Sequence, residues 1–222
     1  MPADRLVIAI DGPSGSGKSS TAREVARRLD LSYLDTGAMY RAVAVAFLDA
    51  GVSPEDGPGV IAATTGAAIE ISLDPDDPWV RVNGRDVTRD IREPRTARNV
   101  SAVSTIPECR ADLVRRQRAL MDADPRGCVA EGRDITTVVY PDADLRLLLT
   151  AAPEVRLARR GGEMGGRVDQ DQLRDQVLRR DADDSKLVDF QTAAEGVQHL
   201  DTSDLSFDEV VDTIVALAKE IK

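Results

Sequence analysis

Short apolar runs separated by amphipathic stretches predict alternating strands and helices along most of the chain. The run at 6–10 contains no polar residue, which is typical of a strand buried on both faces of a parallel sheet. Further strands are predicted at 31–35, 128–130, 145–149 and 197–200. Apolar residues at helical spacing and turn signals at the ends predict helices at 21–29, 38–50, 59–67, 93–103, 107–122, 153–160 and 207–221, and a polar helix is predicted at 169–183. This alternation predicts an α/β fold, a parallel sheet with helices on both faces.

The pattern changes between about residues 68 and 87. Residues 68–73 alternate between apolar and polar, as in an antiparallel strand. Asn83-Gly84 then separates two short β-prone segments and is typical of a hairpin turn. We therefore predict a core of residues 1–58 and 107–222 and an insertion of residues 59–106 that contains a small antiparallel sheet.

Four glycines at 161, 162, 165 and 166 predict a flexible break after the helix that starts at Pro153. We interpret residues 159–168 as a short lid.

Composition and charge restrict the partners and the compartment. The 222 residues carry a formal net charge of −10, which disfavours nucleic-acid polymers and anionic membranes as partners. The sequence contains no apolar run typical of a signal peptide and none near the roughly 20 residues of a membrane span. Cys109 and Cys128 lack metal-site spacing and are typical of a reducing compartment, and His199 is the only histidine. We expect a cytoplasmic monomer.

Residues 12–19, GPSGSGKS, match the phosphate-binding pattern G-x-x-x-x-G-K-[ST] between a predicted strand and a predicted helix. Backbone N–H groups of such a loop surround a phosphate, and the following helix adds the positive end of its dipole. Lys18 is expected to reach the β- and γ-phosphates of ATP, and the Ser19 hydroxyl to bind Mg²⁺. The candidate ATP-binding residues are Gly12, Pro13, Ser14, Gly15, Ser16, Gly17, Lys18, Ser19 and Ser20.

This loop identifies the nucleotide but leaves the reaction open. GTPases use N-K-x-D to bind guanine, and the two asparagines, Asn83 and Asn99, are followed by Gly and Val. A kinase of a small molecule and a non-catalytic ATP-dependent regulator therefore remain. Phosphoryl transfer needs cations around the moving group and exclusion of water, which arginines on a closing lid supply. Arginines near the predicted element ends and in the glycine-rich break favour the kinase: Arg41, Arg110, Arg133, Arg159, Arg160, Arg167 and Arg180.

Five motifs make the chain resemble the bacterial cytidylate kinases along nearly its whole length. They are IDGPSGSGK at 10–18, LDTGAMYR at 34–41, EGRD at 131–134 with VVYPDA at 138–143, RD at 180–181 with DS at 184–185, and LDTS at 200–203. The β insertion also fits, because this family enlarges its monophosphate-binding domain with a small antiparallel sheet. The resemblance implies transfer of the γ-phosphoryl group of ATP to CMP or dCMP, with Mg²⁺ as cofactor. A kinase of another acceptor, such as UMP, remains the alternative.

The resemblance also implies roles for individual residues. Arg41 and Arg133 would hold the CMP phosphate through forked hydrogen bonds. Asp134, Arg110 and Ser101 would face the cytosine, whose exocyclic amino group can donate to a carboxylate that only accepts. Further implied roles are substrate contact by Thr36, ribose contact by Arg180 and Asp184, a place near Mg²⁺ for Asp35, and catalysis by Lys18 and the lid residues Arg159 and Arg167.

The chain departs from the family pattern at two positions near the expected CMP pocket. Thr136 stands where the family usually has glycine, and Leu187 stands where it usually has arginine, with Lys186 beside it. We expect these departures to affect recognition of the base more than the fold or the reaction. The adenine is expected near the backbone of Thr202.

Overall fold

A computed structural model of the chain describes residues 5–163 and 192–221. In chain order, its strands are β1 (Leu6–Asp11), β2 (Ser32–Asp35), β3 (Ile69–Ile71), β4 (Val80–Val82), β5 (Arg85–Asp86), β6 (Gly127–Gly132), β7 (Leu145–Thr150) and β8 (Gln198–Asp201). Five of them form a parallel sheet in the order β2-β6-β1-β7-β8. The predicted parallel α/β sheet is confirmed.

The helices that cover this sheet follow the predicted order. They are α1 (Lys18–Leu29), α2 (Thr36–Asp49), α3 (Gly57–Gly66), α4 (Pro94–Asn99), α5 (Ser101–Ser104), α6 (Pro107–Ala123), α7 (Pro153–Glu163) and α8 (Phe207–Ile221). A 3₁₀ turn (Asp90–Arg92) precedes α4, and a short π-helix (Ile135–Val139) follows β6. Within residues 5–163 and 192–221, no helix is both long and apolar enough to cross a membrane.

The central strand β1 explains why helices lie on both faces of the sheet. Val7 and Ala9 belong to one buried cluster, with apolar residues of α2, α3 and α6. Leu6, Ile8 and Ile10 belong to a second cluster, with residues of α1 and α8. Because successive side chains of a strand point to opposite faces, an apolar strand has to be covered on both sides. Each fully buried aliphatic side chain contributes roughly 1.5–3 kcal/mol to stability.

The predicted insertion forms a three-stranded antiparallel sheet in the order β3-β4-β5. Asn83 and Gly84 have positive φ values of 51° and 78°, as a hairpin turn of type I′ requires. The inner face of this sheet packs on α2, where Val80 and Val82 share a buried cluster with Val45. The insertion is therefore fixed to the helix that starts at the end of β2.

Two predicted elements differ from the structure. The helix expected at 93–103 is divided into α4 and α5, because the N–H of Val103 bonds to Val100 O (2.9 Å), three residues back, and tightens the chain there. The flexible break predicted from Gly161 onward does not begin there, because α7 continues through Gly161 and Gly162. Glycine costs only about 1 kcal/mol in a helix, which neighbouring residues can offset. The rest of the expected lid, 164–168, and the helix expected at 169–183 lie outside the described residues.

Candidate active site

The carboxyl ends of three adjacent strands bring most of the expected site residues together. In the register of the sheet, Asp11 at the end of β1 is the partner of Gly132 in β6. Asp35 at the end of β2 is the partner of Glu131. The phosphate-binding loop follows β1, and Arg133 and Asp134 follow β6. This edge of an open parallel sheet is where such folds bind their ligands.

The loop at 12–17 has the backbone that a phosphate cradle requires. Gly12 (φ 155°) and Gly15 (φ 78°) adopt conformations that L-residues rarely take. A Cβ at Gly12 would overlap the carbonyl oxygen of Leu149, and one at Gly15 would lie 2.6 Å from Arg156 O. Arg156 Nη1 also donates to Ser14 O (3.0 Å). The loop is thus held against α7, and α1 begins directly after it.

The Lys18 ammonium and the Ser19 hydroxyl both approach Glu131. Ser19 Oγ donates to Glu131 Oε1 (2.6 Å), and Lys18 Nζ lies 3.9 Å from Glu131 Oε2 and 3.4 Å from Pro13 O. Burial and the neighbouring negative charge of Asp35 raise the pKa of Glu131, and Lys18 opposes this rise. Lys18 is therefore held over the loop by a carboxylate that belongs to the neighbouring strand.

Asp35 and Arg41 form an ion pair at the start of α2. Arg41 Nη2 lies 2.8 Å from Asp35 Oδ2, while Asp35 Oδ1 accepts from the N–H of Ala38 and caps the helix. Burial works to raise the pKa of Asp35, but Arg41, the Ala38 N–H, Arg92 and Lys18 together lower it. An ionised Asp35 therefore faces the same edge as Lys18.

The oxygen groups at this edge suit a magnesium ion. The Ser19 hydroxyl and the carboxylates of Asp35 and Glu131 are hard oxygen donors of the kind that Mg²⁺ prefers. Within the described residues, no three His, Cys, Asp or Glu side chains form a metal cluster. Mg²⁺ in nucleotide sites is usually held by one or two protein groups together with phosphates and waters, so this small donor set fits.

Arg133, Asp134 and Arg110 form the side of the site that faces α6. Arg110 Nη2 lies 2.5 Å from Asp134 Oδ2, with 22% and 8% of these side chains exposed. Arg133 Nη1 donates to Gly12 O (2.6 Å), the first carbonyl of the phosphate-binding loop. The structure thus joins two of the residues expected to face the base, and it places a third expected residue, Arg133, against the loop.

Thr36 and Ser101 have different surroundings. Thr36 is buried and its hydroxyl donates to Glu131 O (2.7 Å), which places it at the edge of β6. Ser101 begins α5 and is exposed. Among the described residues, no hydrogen bond joins the Ser101 side chain to Arg110 or Asp134.

Arg159 lies on α7 beside the phosphate-binding loop. Its Nη1 donates to Thr202 Oγ1 (2.8 Å) and Ser16 O (3.3 Å), and its Nη2 donates to Thr202 O (2.8 Å). These contacts join α7, through Arg159, both to Ser16 of the loop and to Thr202, where the adenine is expected. Other expected residues lie outside the described part of the chain: Arg167, Arg180, Asp184, Lys186 and Leu187.

Two further carboxylates lie at this edge, Asp11 and Glu131, and the sequence did not predict either of them as a site residue. Asp11 is 2% exposed and accepts from the N–H groups of Ile135 and Thr136 (both 2.8 Å) and from Thr136 Oγ1 (2.6 Å). Each of the two carboxylates ends a run of buried apolar residues in a predicted parallel strand. That position is the available signal, because charged groups at such strand ends collect at the binding edge.

The buried carboxyl group of Asp11 predicts a specific pH dependence of the protein's stability. Burial raises its pKa to about 6, although the hydrogen bonds from Thr136 and Ile135 oppose the rise. Since its pKa in the unfolded chain is lower, near 3.8, Asp11 favours the folded state below pH 4, and this contribution is lost as the pH rises through 6. We expect the free energy of unfolding of the native protein to fall by about 3 kcal/mol between pH 4 and 6 relative to Asp11→Asn. Urea unfolding of both proteins at several pH values measures this difference. Parallel pH profiles would contradict it.

Comparison with known proteins places the chain among named relatives. The sequence profile of a family described as cytidylate kinase matches residues 8–220. A protein named cytidylate kinase from Cutibacterium acnes is 49% identical over 218 residues, which covers 98% of this chain and 97% of that protein. Another of the same name, from Streptomyces avermitilis, is 46% identical over 217 residues, covering 97% and 93%. The crystal structure of an uncharacterized protein from Eubacterium ventriosum shares the fold with a TM-score of 0.54 at 11% identity, covering 97% of this chain and 99% of that one.

Proposed function

Because the chain belongs to the cytidylate kinase family and transfers the γ-phosphoryl group of ATP to CMP or dCMP, we propose that it does so at the carboxyl ends of β1, β2 and β6. The observation that carries this location is the convergence there of the phosphate-binding loop, the Asp35–Arg41 pair and the Arg133–Asp134 segment. The comparisons give no support to UMP kinase or to a non-catalytic regulator.

On the donor side, residues 12–20 hold ATP. The backbone N–H groups of the loop and the N-terminus of α1 bind its phosphates, and Lys18 follows the γ-phosphoryl group as charge develops on it. Ser19 and Asp35 would hold Mg²⁺, with Glu131 beside them, and the ion would neutralise charge on the β- and γ-phosphates. The short Ser19–Glu131 hydrogen bond supports this assignment, because it keeps the hydroxyl at the loop.

On the acceptor side, Arg41 and Arg133 hold the CMP phosphate. The Arg133 contact with Gly12 O supports this, since it puts a guanidinium at the boundary between the donor loop and the acceptor segment. A cation at that boundary lowers the repulsion between the two anionic substrates as they approach.

Asp134 and Arg110 read the cytosine, with Thr36 and Ser101 at the same pocket. Asp134 accepts from the exocyclic amino group, and Arg110 donates to the ring nitrogen and carbonyl. Their mutual ion pair supports the assignment, because it places a donor and an acceptor side by side at one wall of the site.

The remaining assignments concern the ribose, the lid and the arrangement of the chain. Arg180 and Asp184 bind the ribose, and the lid at 159–168, with Arg159 and Arg167, closes on the phosphates and excludes water. The insertion at 59–106 belongs to the monophosphate-binding part, and residues 1–58 and 107–222 form the core.

We infer that the protein is a cytoplasmic monomer. Among the described residues, the large hydrophobic side chains that are exposed are Val138 on the π-helix and Phe207 and Ile221 at the two ends of α8. Scattered apolar residues of this kind are ordinary on a monomeric protein.

A panel of nucleoside monophosphates tests the proposed function. ADP formation is measured with ATP and Mg²⁺ and with CMP, dCMP, UMP, AMP or GMP as acceptor. We expect CMP and dCMP to give far higher kcat/KM than the others, and ATP hydrolysis without an acceptor to be slow. Equal turnover of UMP would contradict the base assignment, and ATP binding without acceptor-dependent turnover would contradict the kinase.

A further inference from the structure

We propose that Asp11 is a positioning residue that fixes the acceptor segment at 133–136 against the start of the phosphate-binding loop, and that the Thr136 hydroxyl belongs to this contact. The inference rests on the proposed function, in which Arg133 and Asp134 bind CMP. It concerns how those residues are aligned with ATP.

The contact is formed by one buried carboxylate and one short segment. Asp11 Oδ1 accepts from Ile135 N (2.8 Å), and Oδ2 accepts from both Thr136 N (2.8 Å) and Thr136 Oγ1 (2.6 Å). Asp11 and Thr136 are 2% and 3% exposed, so water does not compete. Hydrogen bonds to an ionised acceptor are shorter and stronger than neutral ones, and three from two adjacent residues fix the orientation of the segment.

The position of Asp11 in the chain lets this contact link the acceptor segment to the phosphate-binding loop. Asp11 is the last residue of β1, and Gly12 after it opens the phosphate-binding loop. Gly12 O accepts from Arg133 Nη1 (2.6 Å). Two consecutive residues at one strand end therefore bind both ends of the segment 133–136. The donor loop and the acceptor arginine share one anchor, and transfer between two bound nucleotides is sensitive to small displacements.

Two residues shortly after the segment, Val138 and Val139, are held separately. Arg118 on α6 donates from Nε to Val139 O and from Nη2 to Val138 O, both at 2.7 Å. Since Val138 and Val139 stay fixed to α6, loss of the Asp11 contact displaces the segment before them, which carries Arg133 and Asp134. The π-helix between these anchors is a rare conformation that occurs mostly at functional sites.

Thr136 provides the most conservative test. Thr136→Val keeps the shape but replaces the hydroxyl with a methyl group, and Thr136→Ser keeps the hydroxyl. We expect Thr136→Val to raise the KM for CMP about 3- to 10-fold and to leave the Kd of ATP within twofold. Thr136→Ser should restore the native KM. Asp11→Asn should have the larger effect, lowering kcat/KM for CMP by about tenfold or more, because an amide presents one acceptor oxygen instead of two.

Asp144→Asn is the matched control. Asp144 Oδ2 accepts from Val7 N (2.7 Å), so it is also a carboxylate bound to a backbone N–H, at the opposite end of β1 from the site. We expect it to lower the melting temperature without changing the KM for CMP. All kinetics are measured at a temperature at which each variant is fully folded by circular dichroism.

Two results would overturn the inference: the first leaves the proposed function intact, and the second also contradicts it. If Thr136→Val and Asp11→Asn behave like Asp144→Asn, with lower stability and native kinetics, Asp11 is only structural and the proposed function stands. If Arg133→Ala leaves the KM for CMP unchanged, the proposed acceptor site is wrong and the inference falls with it.

Discussion

Lys18→Ala is expected to lower turnover by a factor of about 10² or more while the protein remains folded. The ammonium lies at the mouth of the phosphate-binding loop, 3.4 Å from Pro13 O and 3.9 Å from Glu131 Oε2. In the proposed site, Lys18 interacts with the γ-phosphoryl group most strongly when charge is spread over that group in the transition state, so its loss is expected to affect kcat more than the KM for ATP. Removal of one such preorganised group typically costs 10²- to 10³-fold in rate. A coupled assay of ADP formation with saturating CMP and ATP measures the loss.

A control separates chemistry from stability in this experiment. Lys219→Ala makes the same substitution on the exposed last turn of α8 and should leave turnover unchanged. Loss of Lys18 also removes a cation that lies near the buried Glu131, which is expected to lower the melting temperature. The double variant Lys18→Ala/Glu131→Gln should recover stability and remain inactive. Near-native turnover of folded Lys18→Ala would contradict the assignment of the loop.

The parts of the fold that depend on local sequence were predictable. The glycines of the loop at 12–17 and the turn at Asn83-Gly84 need backbone conformations that few other residues adopt, so their sequences identify them. The terminal helix begins and ends where its apolar spacing predicts, at Phe207–Ile221. Neighbouring residues determine these features, and a single sequence contains that information.

The parts that depend on distant contacts were not predictable. The π-helix at Ile135–Val139 starts where Asp11, 124 residues earlier, accepts the N–H of Ile135. No periodicity in the sequence reports such a contact. Glu131 likewise becomes a site residue only because β6 lies between β1 and β2, which sets it beside Asp35 and Ser19. Arg41, Arg133 and Asp134 were found through resemblance to a family, and their convergence required the order of the strands.

Asp134→Asn is expected to reduce discrimination between CMP and UMP. An ionised aspartate accepts from the amino group of cytosine, but it opposes the carbonyl oxygen that uracil has at the same place. An unpaired buried polar group costs roughly 1–3 kcal/mol, so about a 5- to 150-fold preference for CMP can rest on Asp134. Asparagine offers both a donor and an acceptor. We therefore expect a large loss of kcat/KM with CMP, a smaller loss with UMP and a reduced ratio between them.

Because Asp134 also pairs with Arg110, Asp134→Asn can change activity in two ways: through the contact with the base and through the position of Arg110. Asp134→Asn also weakens the ion pair that positions Arg110, and this effect would lower kcat/KM for CMP and for UMP by the same factor. Asp112→Asn is the matched control, because Asp112 lies on α6 and pairs with Arg115 (2.5 Å) and Arg116 (2.7 Å). Asp112→Asn removes the same negative charge beside arginines and should leave the ratio of kcat/KM for CMP to kcat/KM for UMP unchanged. If Asp134→Asn lowers kcat/KM for CMP and UMP by the same factor, Asp134 only positions Arg110. A fall in the ratio in that variant alone assigns the discrimination to the carboxylate itself.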